Sequence, residues 1–171
     1  MTSTESPTPS NRRRPRMLIF TIVAVSLSPL LVTALLVDDW SRDLTTNRAA
    51  TAAGASQEPR AIKAGQDEVA AAITKFASSR PGWSRRDEKP LPEDSPLLSV
   101  ADKESSTVIH LVRTTSILRF QDDIWGVLEP IDSGSTVLHA ESRSRLGRGD
   151  LGQNPRNLRE LLDCVQAALA N

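Results

Sequence analysis

The stretch Asp122–Arg145, "DDIWGVLEPIDSGSTVLHAESRSR", predicts a β-hairpin and decides the fold. Two runs with strand character, Asp122–Ile131 and Ser135–Arg145, are joined by "DSGS". The Ser133-Gly134 pair at the centre of this connection is typical of a two-residue hairpin turn. The two runs are therefore expected to be neighbouring antiparallel strands.

The turn also predicts which residues face each other across the hairpin. If the residues that flank the turn pair, Asp122 lies opposite Arg145 and Trp125 lies opposite Ser142. The face that carries Trp125 is the drier one, so we expect it to meet the core. A β-bulge would shift every one of these pairs.

Three further elements complete the predicted domain. Ser106–Leu118 is rich in β-branched residues and predicts a third strand, whereas Gln66–Ala77 has apolar residues at helical spacing. A last helix begins with Asn154 as its N-cap and Pro155 in the first helical position. Its apolar stripe consists of Leu158, Leu161, Leu162, Val165 and Leu169. The sequence thus predicts an α+β fold, an antiparallel β-meander packed with an N-terminal and a C-terminal helix and preceded by one transmembrane helix.

The transmembrane helix is predicted from residues 17–37, "MLIFTIVAVSLSPLLVTALLV", which carry no charge. A helix of this length spans roughly 30 Å, the thickness of a bilayer core. A basic, disordered tail at residues 1–16 favours a cytoplasmic N-terminus and an extracytoplasmic or lumenal C-terminal domain. A cleaved signal peptide is the alternative, but the apolar run is longer than such peptides need. Residues 38–64 predict a flexible linker, and residues 65–171 the globular domain.

Composition excludes several classes of function. The chain has 171 residues with 21 basic and 21 acidic side chains and 4% aromatics, so no nucleic-acid partner is expected. Cys164 is the single cysteine, and we expect it to be a small apolar side chain of the last helix. His110 and His139 are the only two histidines, so neither a metal site nor a cofactor is predicted.

The connection between the last strand and the last helix is rich in arginine. This arginine loop, residues 143–157, "RSRLGRGDLGQNPRN", precedes a helix start whose unpaired N–H groups favour an anion. One hypothesis is therefore a site for a small anion. Its predicted ligand residues are Arg143, Arg145, Arg148, Asp150, Asn154 and Arg156. A second hypothesis is a structural ion-pair lock formed by Asp122, Asp123 and Arg145, and a third is a solvated loop.

Catalysis is not predicted. His110 and His139 lie on separate strands, and no serine or cysteine stands at predictable reach of either. Asp122 and Asp123 are adjacent in one strand, so their side chains point to opposite faces and do not form a two-carboxylate site. We do not expect an enzyme.

Two segments of the chain resemble a known family. "IHLVRTTSILRFQDDIWGVLEP" and "LHAESRSRLGRGDLGQNPRNLRELL" are similar to the domain of unknown function 1499 family, in which a strand opened by paired aspartates is followed by "RSxSRxGxxDxGxN" and a helix. The residues that match this segment are Ser142, Ser144, Arg145, Gly147, Asp150, Gly152 and Asn154. Glu141 stands where its first arginine is expected, and a Pro-Asn-Cys-Val-Ser-Ser-like start is absent.

The resemblance covers residues 69–168. It implies a membrane-anchored or exported protein without implying a particular activity. It also implies that Asp122, Asp123, Arg145 and Asp150 belong to one site.

From these features we expect a single-pass membrane protein that presents a non-catalytic binding module, with a small anionic ligand at the arginine loop. The alternative is a membrane-tethered assembly factor that binds a protein partner through Trp40 or Trp83 and in which the arginine loop is the structural lock. The lipid bilayer is a partner in both, through residues 17–37.

Overall fold

The structure is a computed structural model and describes residues 25–26, 44–87 and 89–170. The chain divides into two units, residues 1–37 and residues 38–171. Every element named below belongs to the second unit. The predicted tail and transmembrane helix lie outside the described residues, apart from Val25 and Ser26. In the described part of the chain, no helix is both long enough and apolar enough to cross a membrane.

The described part of the domain contains strands from one antiparallel sheet and helices that pack against it. The elements are β1 (Arg48–Ala50), β2 (Arg60–Ile62), α1 (Gln66–Ser79), β3 (Trp83–Arg85), α2 (Leu98–Ala101), β4 (Thr107–Thr114), β5 (Gln121–Asp132), β6 (Ser135–Ser144) and α3 (Gln153–Leu169). The strands lie in the order β1-β6-β5-β4-β3, and β2 also pairs with β6. The predicted α+β class and its β4-β5-β6 meander are confirmed.

The predicted flexible linker at residues 38–64 is wrong for β1 and β2. Both strands pair with β6, one after the other along its free edge. Each has only three residues, "RAA" and "RAI", which is too short for an alternating pattern to be recognised. Their place in the sheet depends on backbone hydrogen bonds to β6, so the domain starts well before residue 65.

A bulge shifts the register of the β5–β6 hairpin. Asp132 lies opposite Ser135 as predicted, but Pro130 lies opposite Thr136, so Ile131 is an extra residue in β5. Proline has no N–H to donate and therefore occurs in strands mainly at edges and bulges. From Pro130 back along β5, every predicted pair is displaced by one residue.

The displaced register changes which side chains share a face. Trp125 lies opposite Glu141, and the predicted pairing with Ser142 is wrong. Ile124 faces the long helices, and Trp125 faces away from them because successive side chains in a strand alternate. We call the side of the sheet that carries Trp125 the outer face.

The two long helices pack side by side on the other face. In α1 the buried residues are Val69, Ile73, Phe76 and Ala77, and in α3 the apolar ones are Leu158, Leu161, Leu162 and Val165. Both sets follow the helical period of three or four residues. Together with Ile109, Leu111, Ile124 and Leu138 of the sheet they form the core.

A third layer covers part of the outer face. It consists of residues 89–106, which include α2, and we call it the covering segment. Leu97 from this segment is buried, as are Trp125 and Val127 beneath it. Trp125 is therefore buried, but the expectation that its face meets the core is wrong, because the core lies on the opposite face, beneath the long helices.

Candidate functional site

A buried carboxylate on the outer face accepts hydrogen bonds from three basic side chains. Asp123 is 3% exposed. Arg145 donates to it through Nε at 3.0 Å and through Nη2 at 2.7 Å, and Lys89 Nζ donates at 2.8 Å. His110 Nε2 lies 2.9 Å from Asp123 Oδ1. We call these four residues the Asp123 cluster.

The ionised form of Asp123 is strongly favoured. Burial alone would raise the pKa of this carboxyl, but the hydrogen bonds from Arg145, Lys89 and His110 outweigh burial and hold the pKa well below its usual range. The side chain therefore stays charged and keeps the three basic groups oriented around it.

Trp125 positions the lysine of the cluster. Its indole Nε1 donates to the Lys89 carbonyl oxygen at 2.9 Å, and Lys89 Nζ lies 5.6 Å from the indole ring centroid. The His110 ring lies beside the same indole, with ring centroids 5.6 Å apart. His110 Nδ1 faces the Asp87 carbonyl oxygen at 3.3 Å, so both nitrogens of this ring face acceptor oxygens. One tryptophan thus fixes the covering segment to the sheet at the cluster.

A cavity of about 430 Å³ lies between the covering segment and β4, next to this cluster. Lys89, His110 and Asp102 supply its polar lining. The apolar lining consists of Pro90, Leu91, Leu98, Ala101 and Val108. Small-molecule sites usually combine apolar side chains with a few polar groups in fixed positions, as this lining does.

A second buried acid fastens the far part of the covering segment. Glu141 has no exposed surface, and it accepts hydrogen bonds from Ser95 Oγ and from Arg143 Nε, the latter at 2.7 Å. Arg143 Nη1 also pairs with Asp94 at 2.8 Å, and Arg48 of β1 pairs with the same aspartate at 2.8 Å. Glu141 occupies the position of the first arginine in the family motif. It forms an ion pair with Arg143, two residues further along the same strand.

On the helical side of the sheet, Asp122 belongs to a different network. It accepts hydrogen bonds from Ser144 Oγ at 2.7 Å and from Asn157 Nδ2 at 2.9 Å. Asp122 lies opposite Ser144 in the sheet, so the predicted pairing with Arg145 is wrong. Ser142 and Asn154 extend the network, with Ser142 Oγ donating to Asn154 Oδ1 at 2.6 Å. These side chains connect the end of β6 to the start of α3.

Asp150 occupies the start of α3. Its carboxylate accepts hydrogen bonds from the N–H groups of Gly152 and Asn154, both at 2.9 Å, and its carbonyl oxygen accepts from Gln153 N at 3.0 Å. Gly152, with φ of 74°, is the N-cap residue, two positions before the predicted Asn154. A carboxylate of the chain itself thus stands where an anionic ligand was expected.

The predicted anion-site residues do not converge on one point. Arg143 and Arg145 pair with acids on the outer face, and Asn154 is buried in the polar network below α3. Arg156 donates to the Leu151 carbonyl oxygen at 3.0 Å, and Arg148 is exposed. Of the residues predicted for an ion-pair lock, Asp123 and Arg145 do pair, whereas Asp122 lies on the opposite face.

The structure also tests the predictions for two single residues, Trp83 and Cys164. Trp83 is buried and packs edge-on against Phe76, with the ring centroids 4.8 Å apart. The prediction that Trp83 is an exposed contact residue is therefore wrong. Cys164 is half-buried against the core and accepts a hydrogen bond from Arg80. Trp40 lies outside the described residues.

Several residues of the site were not predicted from the sequence. Lys89 and Ser95 lie in an irregular segment whose position over the sheet carries no local pattern. The sequence places His110 on a strand face but does not show which carboxylate it meets, because this depends on the register between β4 and β5. That pairing places Val112 opposite Asp123 and His110 two residues away on the same face.

The fold and the site define a small α+β domain that is built around two acidic residues on opposite faces of a sheet and a polar strand-to-helix connection. The family model described as "Protein of unknown function (DUF1499)" matches residues 36–165, and the chain belongs to this family. The match starts before β1, in agreement with the early start of the domain. No curated protein and no solved structure matches the chain.

Proposed function

We propose that this protein is a single-pass membrane-anchored, non-catalytic binding module that holds a small, mostly apolar molecule in the cavity beside the Asp123 cluster. The cavity is the observation that carries the proposal. Its volume of about 430 Å³ suits a small molecule, and the apolar side chains of its lining would pack against one.

The polar side of the cavity supports a ligand with one hydrogen-bond-accepting end. Lys89 and His110 line the cavity, and Asp123 fixes both of them from behind. The ammonium of Lys89 carries three N–H groups, and because Asp123 already orients it, a ligand that accepts one of the others loses little free energy in ordering this donor. The Asp123 cluster thus supplies orientation, and the apolar wall supplies most of the affinity.

A binding role fits the chemistry of the cavity better than catalysis. Among the described residues that line it there is no serine, threonine or cysteine to act as a nucleophile. His110 is held between Asp123 and the Asp87 carbonyl oxygen, which restricts its use as a proton shuttle.

The arginine loop then serves the fold. Asp150 accepts the N–H groups at the start of α3, and Arg143 and Arg145 pair with buried acids. A small anion at this helix start would compete with a tethered carboxylate that is always present. The loop therefore joins β6 to α3 and fastens the covering segment, and the ligand binds elsewhere.

The membrane anchor is supported by the sequence. Residues 17–37 carry no charge, and the preceding arginines favour a cytoplasmic N-terminus with the domain on the extracytoplasmic or lumenal side. The binding module would then act at the membrane surface. An assembly factor would share this anchor; of its two predicted contact residues, Trp83 is buried and Trp40 lies outside the described residues, and the cavity is what makes us favour the binding module.

Native mass spectrometry of the full-length protein, extracted from its membrane in lipid nanodiscs, tests this proposal. We expect a reproducible added mass of a small molecule. The substitution Ala101→Phe fills the cavity and should abolish the added mass, whereas Ala71→Phe on the exposed side of α1 should retain it. An added mass that survives Ala101→Phe, or a chain that carries only other polypeptides, would contradict the proposal.

A further inference from the structure

Two loops at one end of the sheet expose large apolar side chains. Residues 115–120 join β4 to β5 and carry Ile117, Leu118 and Phe120, whose exposed fractions are 90%, 66% and 49%. The arginine loop adds Leu146 and Leu151, exposed by 69% and 40%. We call these five side chains the apolar tip. Exposed apolar side chains that are concentrated at one end of a domain mark an interaction site more often than scattered ones do.

Hydrogen bonds hold the two loops at the same end of the domain. Gln121, the residue after the first loop, accepts the N–H of Arg145 through its carbonyl oxygen at 3.0 Å. The same two residues are joined by their side chains, Arg145 Nη1 to Gln121 Oε1, at 2.6 Å. Leu146 directly follows Arg145, so the loops leave the sheet side by side.

The backbone of both loops is strained. Among the described residues, Arg119 and Leu151 are the two non-glycine residues with positive φ, at 57° and 52°. Such conformations cost free energy and occur most often where a fixed loop shape is used. One of the two residues lies in each loop of the apolar tip.

The charge at this end is basic. The exposed charged side chains of the two loops are Arg119, Arg145 and Arg148, and the loop acid, Asp150, turns inward to cap α3. At the opposite end of β5, by contrast, the exposed apolar residue Ile131 has an acidic neighbour, Asp132. Apolar side chains surrounded by arginines match an anionic lipid interface, which takes up apolar groups and attracts cations.

The chain enters the sheet at the apolar tip. Asn47, the residue before β1, accepts the N–H of Ser144 at 2.9 Å and donates through Nδ2 to the Gly147 carbonyl oxygen at 3.2 Å. Nine residues, 38–46, separate Asn47 from residue 37. From residue 37 to Asn47 the chain makes about ten steps, which reach at most roughly 35 Å when fully extended. A bilayer spanned by residues 17–37 would therefore lie within that distance of the apolar tip.

We propose that the apolar tip is a docking surface for the bilayer, with Ile117, Leu118, Phe120, Leu146 and Leu151 at the level of the lipid headgroups and Arg119 and Arg148 on anionic phosphates. This inference rests on the proposed anchor at residues 17–37, because the short tether is what holds the tip at the membrane. Docking fixes the domain on the membrane surface in one orientation.

Depth-dependent quenching in vesicles tests the docking. The full-length protein with Cys164→Ala is reconstituted in phosphatidylcholine vesicles containing about 30% phosphatidylglycerol, an anionic composition, and brominated acyl chains. A bimane probe is attached through Leu118→Cys or, as the matched control at the other end, through Ile131→Cys. We expect quenching at position 118 to exceed quenching at position 131 by at least about twofold. Adding Arg119→Gln and Arg148→Gln should remove at least about half of that excess.

Equal quenching at the two positions would overturn the docking surface, and a tip that binds a protein partner instead would give this result. An alkaline carbonate wash of the same vesicles tests the anchor separately. A chain that is washed off would overturn the proposed anchor and the docking with it. A chain that stays in the membrane without excess quenching at position 118 would overturn the docking alone.

Discussion

Asp122 and Asp123 are adjacent in the sequence and organise opposite faces of the sheet. Asp122 accepts hydrogen bonds from Ser144 and Asn157 beneath α3, whereas Asp123 accepts them from Arg145, Lys89 and His110 on the outer face. The alternation of side chains along a strand explains this division. One pair of acids thus joins the helical layer to the sheet on one side and the covering segment on the other.

Asp123 should make the stability of the domain depend on pH. Because its folded-state pKa is lowered, its contribution to the free energy of unfolding is present above the unfolded pKa of about 4 and is lost as the pH falls toward the folded value. Asp123→Asn should destabilise the protein at neutral pH by about 2–3 kcal/mol, less than for a fully buried pair since Arg145 and Lys89 are partly exposed. Urea unfolding followed by circular dichroism at several pH values measures this difference, which should shrink below pH 4. A difference that stays constant down to acid pH would contradict the assignment.

Arg145 and Arg148 should differ sharply in their effect on stability. Arg145 makes three side-chain hydrogen bonds, to Asp123 and Gln121, whereas Arg148 is exposed. Arg145→Ala is expected to lower the free energy of unfolding by about 1–2 kcal/mol. Arg148→Ala should change it by less than about 0.5 kcal/mol. Equal losses in urea titrations of the two variants would show that the loop is not fastened through Arg145.

The cap of α3 can be tested with two substitutions of one residue. Asp150→Ala removes the acceptor for the N–H groups of Gly152 and Asn154 and should destabilise the domain by about 1–2 kcal/mol. Asp150→Asn retains a carbonyl acceptor and should lose less than half as much. Thermal unfolding of both variants gives the comparison. If added phosphate restored the stability of Asp150→Ala to that of the parent protein, the helix start would be an anion site after all.

Replacing Gly82 by alanine should cost more stability than replacing Gly126. Gly82 has φ of 82°, and a Cβ atom there would lie 2.6 Å from the Thr114 carbonyl oxygen. Gly126 has room for a Cβ at ordinary contact distance, 3.5 Å from Leu138 Cδ1. Gly82→Ala should therefore cost about 1–3 kcal/mol, and Gly126→Ala less than about 1 kcal/mol. The reverse ranking in chemical denaturation would mean that the turn before β3 is shaped differently.

The parts of the fold that local patterns determine could be predicted from the sequence. The "DSGS" turn and the alternating runs around it predicted the hairpin, and the apolar stripes predicted α1 and α3. The cap formed by Asp150 is also a local feature, because its carboxylate accepts hydrogen bonds from residues only two and four positions further along the chain.

The remaining features depend on contacts between distant segments. β1 and β2 are three residues each and become strands only because β6 offers them its edge. The bulge at Pro130 displaced the predicted register by one residue and so exchanged the faces of β6 relative to β5. Lys89 lies 34 residues from Asp123 in a segment without periodicity, and no spacing rule connects the two.

The pairing of β1 and β2 with β6 also protects the domain from aggregation. An uncovered β6 would present a row of free backbone N–H and C=O groups, which is a template for strand exchange with a second molecule. A fragment that starts at residue 65 lacks β1 and β2, so it should self-associate through β6 even though it retains α1, α3 and the meander. A proteolytic fragment that keeps the domain intact must therefore start before Arg48. The short piece of chain before α1, which the sequence predicts as a linker, is therefore the cap on the sheet edge.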